Sequence, residues 1–224
     1  ETISDMLNWI LSEREEFVTI QSSGGSDWDV ISSPVFGIDT YKAKGSTLNR
    51  YYSTPSYGTA LTTGTLVVDT AYAMPLPLSK VMTFDLIAIR PTTACAAGTG
   101  TAVIRLAVYS DNGNMYPGAL VADAGTVACT GTATVTAAFT QTLQPGLYWL
   151  VADSDAQGTA AIVRSLPLAG TPGLLGLDSA FGTAQGFGWS VAQNAGVAAP
   201  NPFTAGGTVI TALPLPFIGL RTTG

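Results

Sequence analysis

Apolar positions in the first twenty residues recur at helical spacing. Ile3, Leu7, Ile10, Leu11 and Phe17 fall on one face, Ser4 or Asp5 can cap it, and Met6, Trp9 and Val18 widen the stripe. The spacing predicts a helix over 1–20. Its heptad seam (Ile3, Leu7, Ile10, Arg14, Phe17) runs under three heptads and carries a charge, so it is too short for an independent coiled coil. Two roles follow. Either Ile3, Leu7, Ile10, Leu11 and Phe17 form an oligomerising or anchoring face that fits a groove on a larger partner, or the helix packs on its own body.

Periodicity lapses over 21–64. QSSGGSD at 21–27 reads as a flexible break, and Trp28, Val30, Ile31, Val35, Phe36 and Ile38 can supply one short strand. The next stretch, YKAKGSTLNRYYSTPSYGTALTTG, mixes Tyr with Ser, Thr and Gly, so 21–64 is expected to be an extended arm or linker. Alternation begins at Thr65. Strands are expected near 65–73, 81–90, 101–110, 119–128, 132–139, 146–153, 159–164 and 215–221, with turn signals at sandwich or barrel spacing. Val103, Arg105, Ala107 and Tyr109 alternate with Ile104, Leu106 and Val108. Both sets are mostly apolar, which predicts a central strand covered on both faces. Pro75 and Pro77 fit an edge or entry position, because proline cannot donate to a ladder.

The body is organised around RLAVYSDNGNMYPGALVADAGTV at 105–127, two apolar strands flanking a turn, and GLYWLVADSD at 146–155, a third strand that should pair with them. The turn is expected to fix the register of two central strands. No segment with helical period longer than a turn or two follows residue 20. The chain therefore reads as all-β: an antiparallel jelly-roll-type β-sandwich over 65–224, preceded by a short N-terminal helix and an extended arm. Within it, residues 165–214 are rich in Gly and Ala and carry Phe181, Phe187, Trp189 and Phe203. Loops this long are functional or interfacial. Their aromatics either stack on sugars, wedge between subunits or pin the loop to its own sandwich.

Charge changes this picture. Charged residues make up 11% of the chain, against roughly 25% in ordinary soluble domains. All four Glu lie in the first sixteen residues, and from Thr65 onward there are five basic residues (Lys80, Arg90, Arg105, Arg164, Arg221) and seven Asp. Such a body must cover its surface with Thr, Ser, Gly and Ala, or bury it against other subunits. Lys42, Lys44 and Arg50 give the arm a positive bias. That suits an arm crossing a neighbouring subunit and equally a solvated loop. A net charge of −6 and a pI near 4.4 exclude a nucleic-acid partner held by phosphate neutralisation. No apolar run approaches the roughly 18 residues of a membrane helix, so no membrane insertion is expected. The start, ETISDMLNW, lacks the regions of a signal peptide.

Candidate chemistry is sparse. Histidine is absent, which removes His-based triads, His metal sites and the usual general base. A glycosidase pair in the body would need two Asp, from Asp111, Asp123, Asp153 and Asp155; exposed loop aspartates are the commoner case. No catalytic residue, no cofactor and no metal is assigned. Asp111-Asn112-Gly113-Asn114 has oxygen side chains at calcium-like spacing but lacks the further carboxylates of a calcium loop, and turn chemistry explains it better. With Tyr116 and Trp189, residues Asp111, Asn112 and Asn114 remain candidate surface ligand contacts. Cys95 and Cys129 are either two small buried thiols or a bridge worth roughly 4 kcal/mol.

AYAMPLPLSKVMTFDLIAI, AVIRLAVYSDNGNMYPGALVADAGTV, QTLQPGLYWLVA and the terminal FIGLRTTG together resemble a module of tailed-bacteriophage virion appendage proteins, in tail-fibre-like, head-fibre and decoration proteins. The resemblance covers roughly 66–165 and the last strand, and identifies a structural module rather than an activity. It implies a virion-exposed β-sandwich, often a homotrimer, with other virion proteins of capsid or tail as partners and host cell-surface glycan as a further one. The expectation is a non-enzymatic virion structural protein, with residues 1–64 attaching or trimerising. Its alternatives are a soluble carbohydrate-binding module and an Asp-dependent glycan hydrolase.

Overall fold

The computed structural model describes residues 19–24, 27–32, 51–58, 60–156, 158–177, 179 and 185–222. The chain divides into two compact units, Glu1–Gly37 and Ile38–Gly224. In the first, β1 (Thr19–Gly24) pairs antiparallel with β2 (Asp27–Ser32), with Ser22 opposite Trp28 and Gly24 opposite Asp27. Residues 21–24 and Asp27, read as part of a flexible break, are therefore paired strand. Of the expected helix over 1–20, residues 1–18, with Ile3, Leu7, Ile10, Leu11 and Phe17, lie outside the described residues; Thr19 and Ile20 are strand.

The second unit is all-β among its described residues. It opens with β3 (Tyr51–Tyr52) and β4 (Thr62–Thr65), both within the stretch read as an arm and both laddered into body sheets. Next come β5 (Thr70–Leu78), β6 (Met82–Ile89), β7 (Pro91–Thr93), β8 (Val103–Asp111) and β9 (Pro117–Ala128). The remainder are β10 (Val135–Leu143), β11 (Gly146–Ser154), β12 (Ile162–Ser165), β13 (Gly188–Ala192), β14 (Thr208–Ile210) and β15 (Gly219–Thr222). β13 and β14 correct the reading of 165–214 as loop alone. Three antiparallel sheets result, with strand orders β14-β13-β5-β11-β8-β9, β10-β6-β15-β3 and β4-β12-β7. As the sequence implied, β8 pairs with both β9 and β11.

Period-two alternation assigns each side chain of the six-stranded sheet to a face. Even positions (Tyr72, Met74 and Leu76 of β5, Ile104, Leu106 and Val108 of β8, Leu150 and Ala152 of β11) enter the main core. They share it with Phe84 and Ile87 of β6, Phe139 and Leu143 of β10 and Leu220 of β15, from the four-stranded sheet. Odd positions enter a second cluster, so β8 is covered on both faces as its apolar run implied. β6 changes phase midway, from Met82 and Phe84 to Ile87 and Ile89. The cause is a bulge: Arg221 pairs with Leu86 and Thr222 with Phe84, leaving Asp85 as the extra residue. Its carboxylate accepts two hydrogen bonds from Arg221, at 2.8 and 2.6 Å.

Pro75 and Pro77 lie inside β5, between β13 and β11, rather than after an edge strand. Odd residues of β5 direct their backbone groups toward β13, as the bond from Gln193 N–H to the Asp69 carbonyl shows. Pairing with β13 stops at Ala73, so the missing prolyl donors face no acceptor. β9 is an edge strand, not a central one. Three register shifts against β8 interrupt it, one at Gly125 (φ +80°), and bulges of this kind blunt an edge against further pairing.

Candidate functional site

The outer face of the six-stranded sheet is closed by the chain's own Gly/Ala stretch. Ala71, Ala73, Ala107, Tyr109, Trp149 and Val151 pack against Ala199 and Phe203. Polar bonds pin the stretch down. Tyr109 donates to the Pro200 carbonyl (2.9 Å), Phe203 N–H to the Gly118 carbonyl (2.9 Å) and Leu120 N–H to Asn201 Oδ1 (3.1 Å). Of the three uses open to the aromatics of this segment, Phe203 and Trp189 show the third. Trp189 donates to the Met115 carbonyl (2.7 Å) and meets Tyr116 edge-on, with ring centres 5.0 Å apart.

The turn 111–116 spends its oxygens locally. Asp111 accepts from Gly113 N–H (2.7 Å) and from the Trp149 indole (2.9 Å), and Asn112 accepts from Asn114 N–H (2.8 Å). The Tyr116 hydroxyl donates to the Thr204 carbonyl and accepts from Gly207 N–H. Asp111, Asn112, Asn114, Tyr116 and Trp189 are thus brought to one end of the sheet, with Asn112 and Asn114 exposed. Their hydrogen bonds serve the turn and the tether.

The candidate carboxylates take a different arrangement. Asp123 Oδ2 accepts from Arg105 (2.6 Å) and Ala199 N–H (3.0 Å), and Oδ1 from Gly125 N–H (2.9 Å). Burial alone would raise its carboxyl, but these donors bring it below the ordinary value. Asp153, opposite Arg105 in the β11–β8 register, is wholly buried, and no donor meets either oxygen with hydrogen-bond geometry. Burial pushes it up to about 7; Asp69 adds to the push, while Gln193, Arg105 and the Ser154 N–H offset it only in part. Burial, reinforced by Asp123 and Asp153, also raises the Tyr109 phenol. Asp155 turns away to accept from the Thr101 N–H and hydroxyl. Cys95 and Cys129 form a disulfide, Cα atoms 5.5 Å apart, beside a Cys95 N–H to Cys129 carbonyl bond.

A cavity of about 210 Å³ opens where the four- and three-stranded sheets meet. Its walls include Ile89 at the end of β6, Leu61, Tyr51 of β3 and Phe217, and two arginines line it, Arg90 and Arg164. Backbone bonds fix this junction: Arg164 N–H donates to the Arg90 carbonyl and Phe217 N–H to the Arg164 carbonyl, both 2.9 Å. Gly219 permits close approach, since a Cβ there would sit 2.8 Å from that of Tyr51. Among the described residues no carboxylate pairs with Arg90 or Arg164. Sequence reasoning missed this pair. The available signal was an arginine inside each of two apolar runs, IAIRPT and AIVRSL. No family model, curated protein or solved structure matches the chain.

Proposed function

We propose that the protein is a non-enzymatic virion structural protein of a tailed bacteriophage, a trimeric fibre or decoration subunit. Residues 1–64 attach or trimerise it, and a jelly-roll-type sandwich over 65–224 projects outward to meet the host surface. One observation carries the reading. A body poor in charge leaves large apolar side chains in the open: Tyr57 (80% exposed) and Leu168 (41%) on two loops that touch, and Leu213 (42%). The Tyr57 and Leu168 loops are joined by the Tyr57 N–H to Gly170 carbonyl bond and by close approach of Gly58 to Pro167, and the segment of Leu213 lies against β4, where Gly64 approaches Pro214. Exposed apolar groups concentrated in this way serve association. The resemblance of the YSDNGNMYPG and LQPGLYWLVA segments to virion appendage modules supplies the particle.

Light scattering should give a mass of three 23.0 kDa chains, and deletion of residues 1–20 should abolish attachment to particles. A monomer that never associates with particles would remove the proposal. The cavity walled by Tyr51 and Phe217 favours one second reading, a soluble carbohydrate-binding module, which predicts sugar binding by a monomer free of particles.

A further inference from the structure

We propose that the protein binds one calcium ion where β11, the start of β5 and the end of β13 meet. Asp153, Asp69 and Gln193 supply the side-chain oxygens. The site belongs to the isolated chain and stands apart from the virion reading.

The motivating observation is a group of oxygens that the fold leaves unsatisfied. Asp153 is wholly buried, and neither of its carboxylate oxygens meets a donor with hydrogen-bond geometry. Asp69 Oδ1 and Gln193 Oε1 are likewise buried without a partner. Buried polar atoms in this state are rare and point to a water or an ion. Strand register gathers the three residues. Asp153 pairs with Ala71, two residues on from Asp69, and Ala71 pairs with Val191, two residues before Gln193. Asp69 N–H donates to the Ser154 carbonyl and Gln193 N–H to the Asp69 carbonyl, both 2.9 Å, so Asp69 links the other two strands. The side chains converge as well: the Asp69 charge and the Gln193 amide both act on the Asp153 carboxyl.

Charge selects the occupant. Arg105 lies opposite Asp153, but its guanidinium is bonded to Asp123 (2.6 Å) and to the Ala195 carbonyl (2.9 Å). Arg105 and Asp123 neutralise each other, which leaves Asp153 and Asp69 as two carboxylates without a cation of their own. A proton neutralises one of them and supplies a single donor. A divalent cation balances both and serves several orphaned oxygens at once. The chain has no histidine, and among the described residues no third acidic side chain or thiol joins these two, a set that zinc does not favour. Calcium takes about six to eight oxygens in flexible geometry, mixing carboxylate, amide and water, whereas magnesium demands a near-ideal octahedron. The Gln193 amide can turn end for end with little change of shape and so present Oε1 to the ion. Bound there, calcium would clamp the segment leaving β13, the start of the Gly/Ala cover, to β5 and β11.

The test is calorimetric titration of the EDTA-treated full chain with calcium chloride and with magnesium chloride, beside thermal unfolding. One calcium per chain is expected, and a hundredfold excess over Kd should raise the unfolding midpoint by about 5 °C or more. Asp153→Asn and Asp69→Asn should each weaken calcium binding by about tenfold or more. Both variants keep the side-chain shape, and Asn tolerates the left-handed backbone of Asp69 (φ +52°), so the β-rich circular dichroism spectrum should persist. Magnesium should bind at least about tenfold more weakly; equal affinity would overturn the choice of calcium. Neither heat nor a midpoint shift at millimolar calcium would overturn the site. Calcium binding that survives Asp153→Asn would do the same, and its loss in Asp111→Asn would place the ion at the 111–116 turn instead.

Discussion

Asp153 shows how a residue can set a pH dependence. Its carboxyl is raised in the folded chain to about 7 because it is buried beside Asp69 without a well-placed donor. The folded state therefore holds this proton more tightly than the unfolded state. Its contribution is fully favourable below the unfolded value near 4 and is lost as pH rises toward 7. Stability should fall by up to about 4 kcal/mol across that window, of which about 3 kcal/mol should appear between pH 5 and pH 8 in urea unfolding of the calcium-free chain. Asp153→Asn should abolish most of this slope; an unchanged slope would remove Asp153 as its source. Asp123 acts in the opposite sense. Arg105 and two backbone N–H groups hold its carboxyl low, so its contribution is present above its ordinary value and is lost only as pH falls through the folded value. Asp123→Ala should cost about 3 kcal/mol at neutral pH by leaving the Arg105 charge partly buried and unpaired; a near-neutral effect in denaturant titration would show that water takes over the pair. Sequence reading singled out both aspartates, but only the register and the Arg105–Asp123 bond show that both lie beside one cation.

At the scale of elements, two ties decide how the sheet edges are held. The Tyr116 hydroxyl joins the turn after β8 to the segment before β14 through Thr204 and Gly207. Tyr116→Phe should lower stability by about 1 kcal/mol and speed exchange of the Gly207 amide; unchanged exchange would count against the tether. The Cys95–Cys129 disulfide spans 34 residues and ties the chain beyond β7 to the end of β9. Replacing both cysteines with Ala should cost roughly 4 kcal/mol in the chain-entropy account, read from the denaturation midpoint. Most body strands were legible from alternation, and β8 most clearly, because two apolar faces need no knowledge of neighbours. β5 was not. Whether Pro75 and Pro77 can lie inside a sheet depends on where β13 stops, a fact carried some 115 residues away. β13 and β14 escaped because glycine surrounds them and each shows little more than one alternation, in WSVA and TVI. The phase change in MTFDLIAI did carry the Asp85 bulge, for a reader who tracks parity through an apolar run.

For the whole molecule, the surface says more than the core. On the proposed reading, a body with few charges and with Tyr57, Leu168 and Leu213 exposed meets another surface through these side chains. Replacing Tyr57 and Leu168 together with Ser should dissociate the proposed trimer to monomers by light scattering while leaving the β-rich circular dichroism spectrum intact. A trimer that survives would move the interface elsewhere. The cavity beside Arg90 and Arg164 was invisible at sequence level because their backbones meet only through the crossing from β6 to β7 and the return of β12. The most direct test of the account is an electron-microscopy map of purified virions carrying this chain. It should show the 65–224 body projecting from head or tail in threefold clusters, joined to the particle through residues 1–64. A fully resolved particle surface with no density for the body would contradict it.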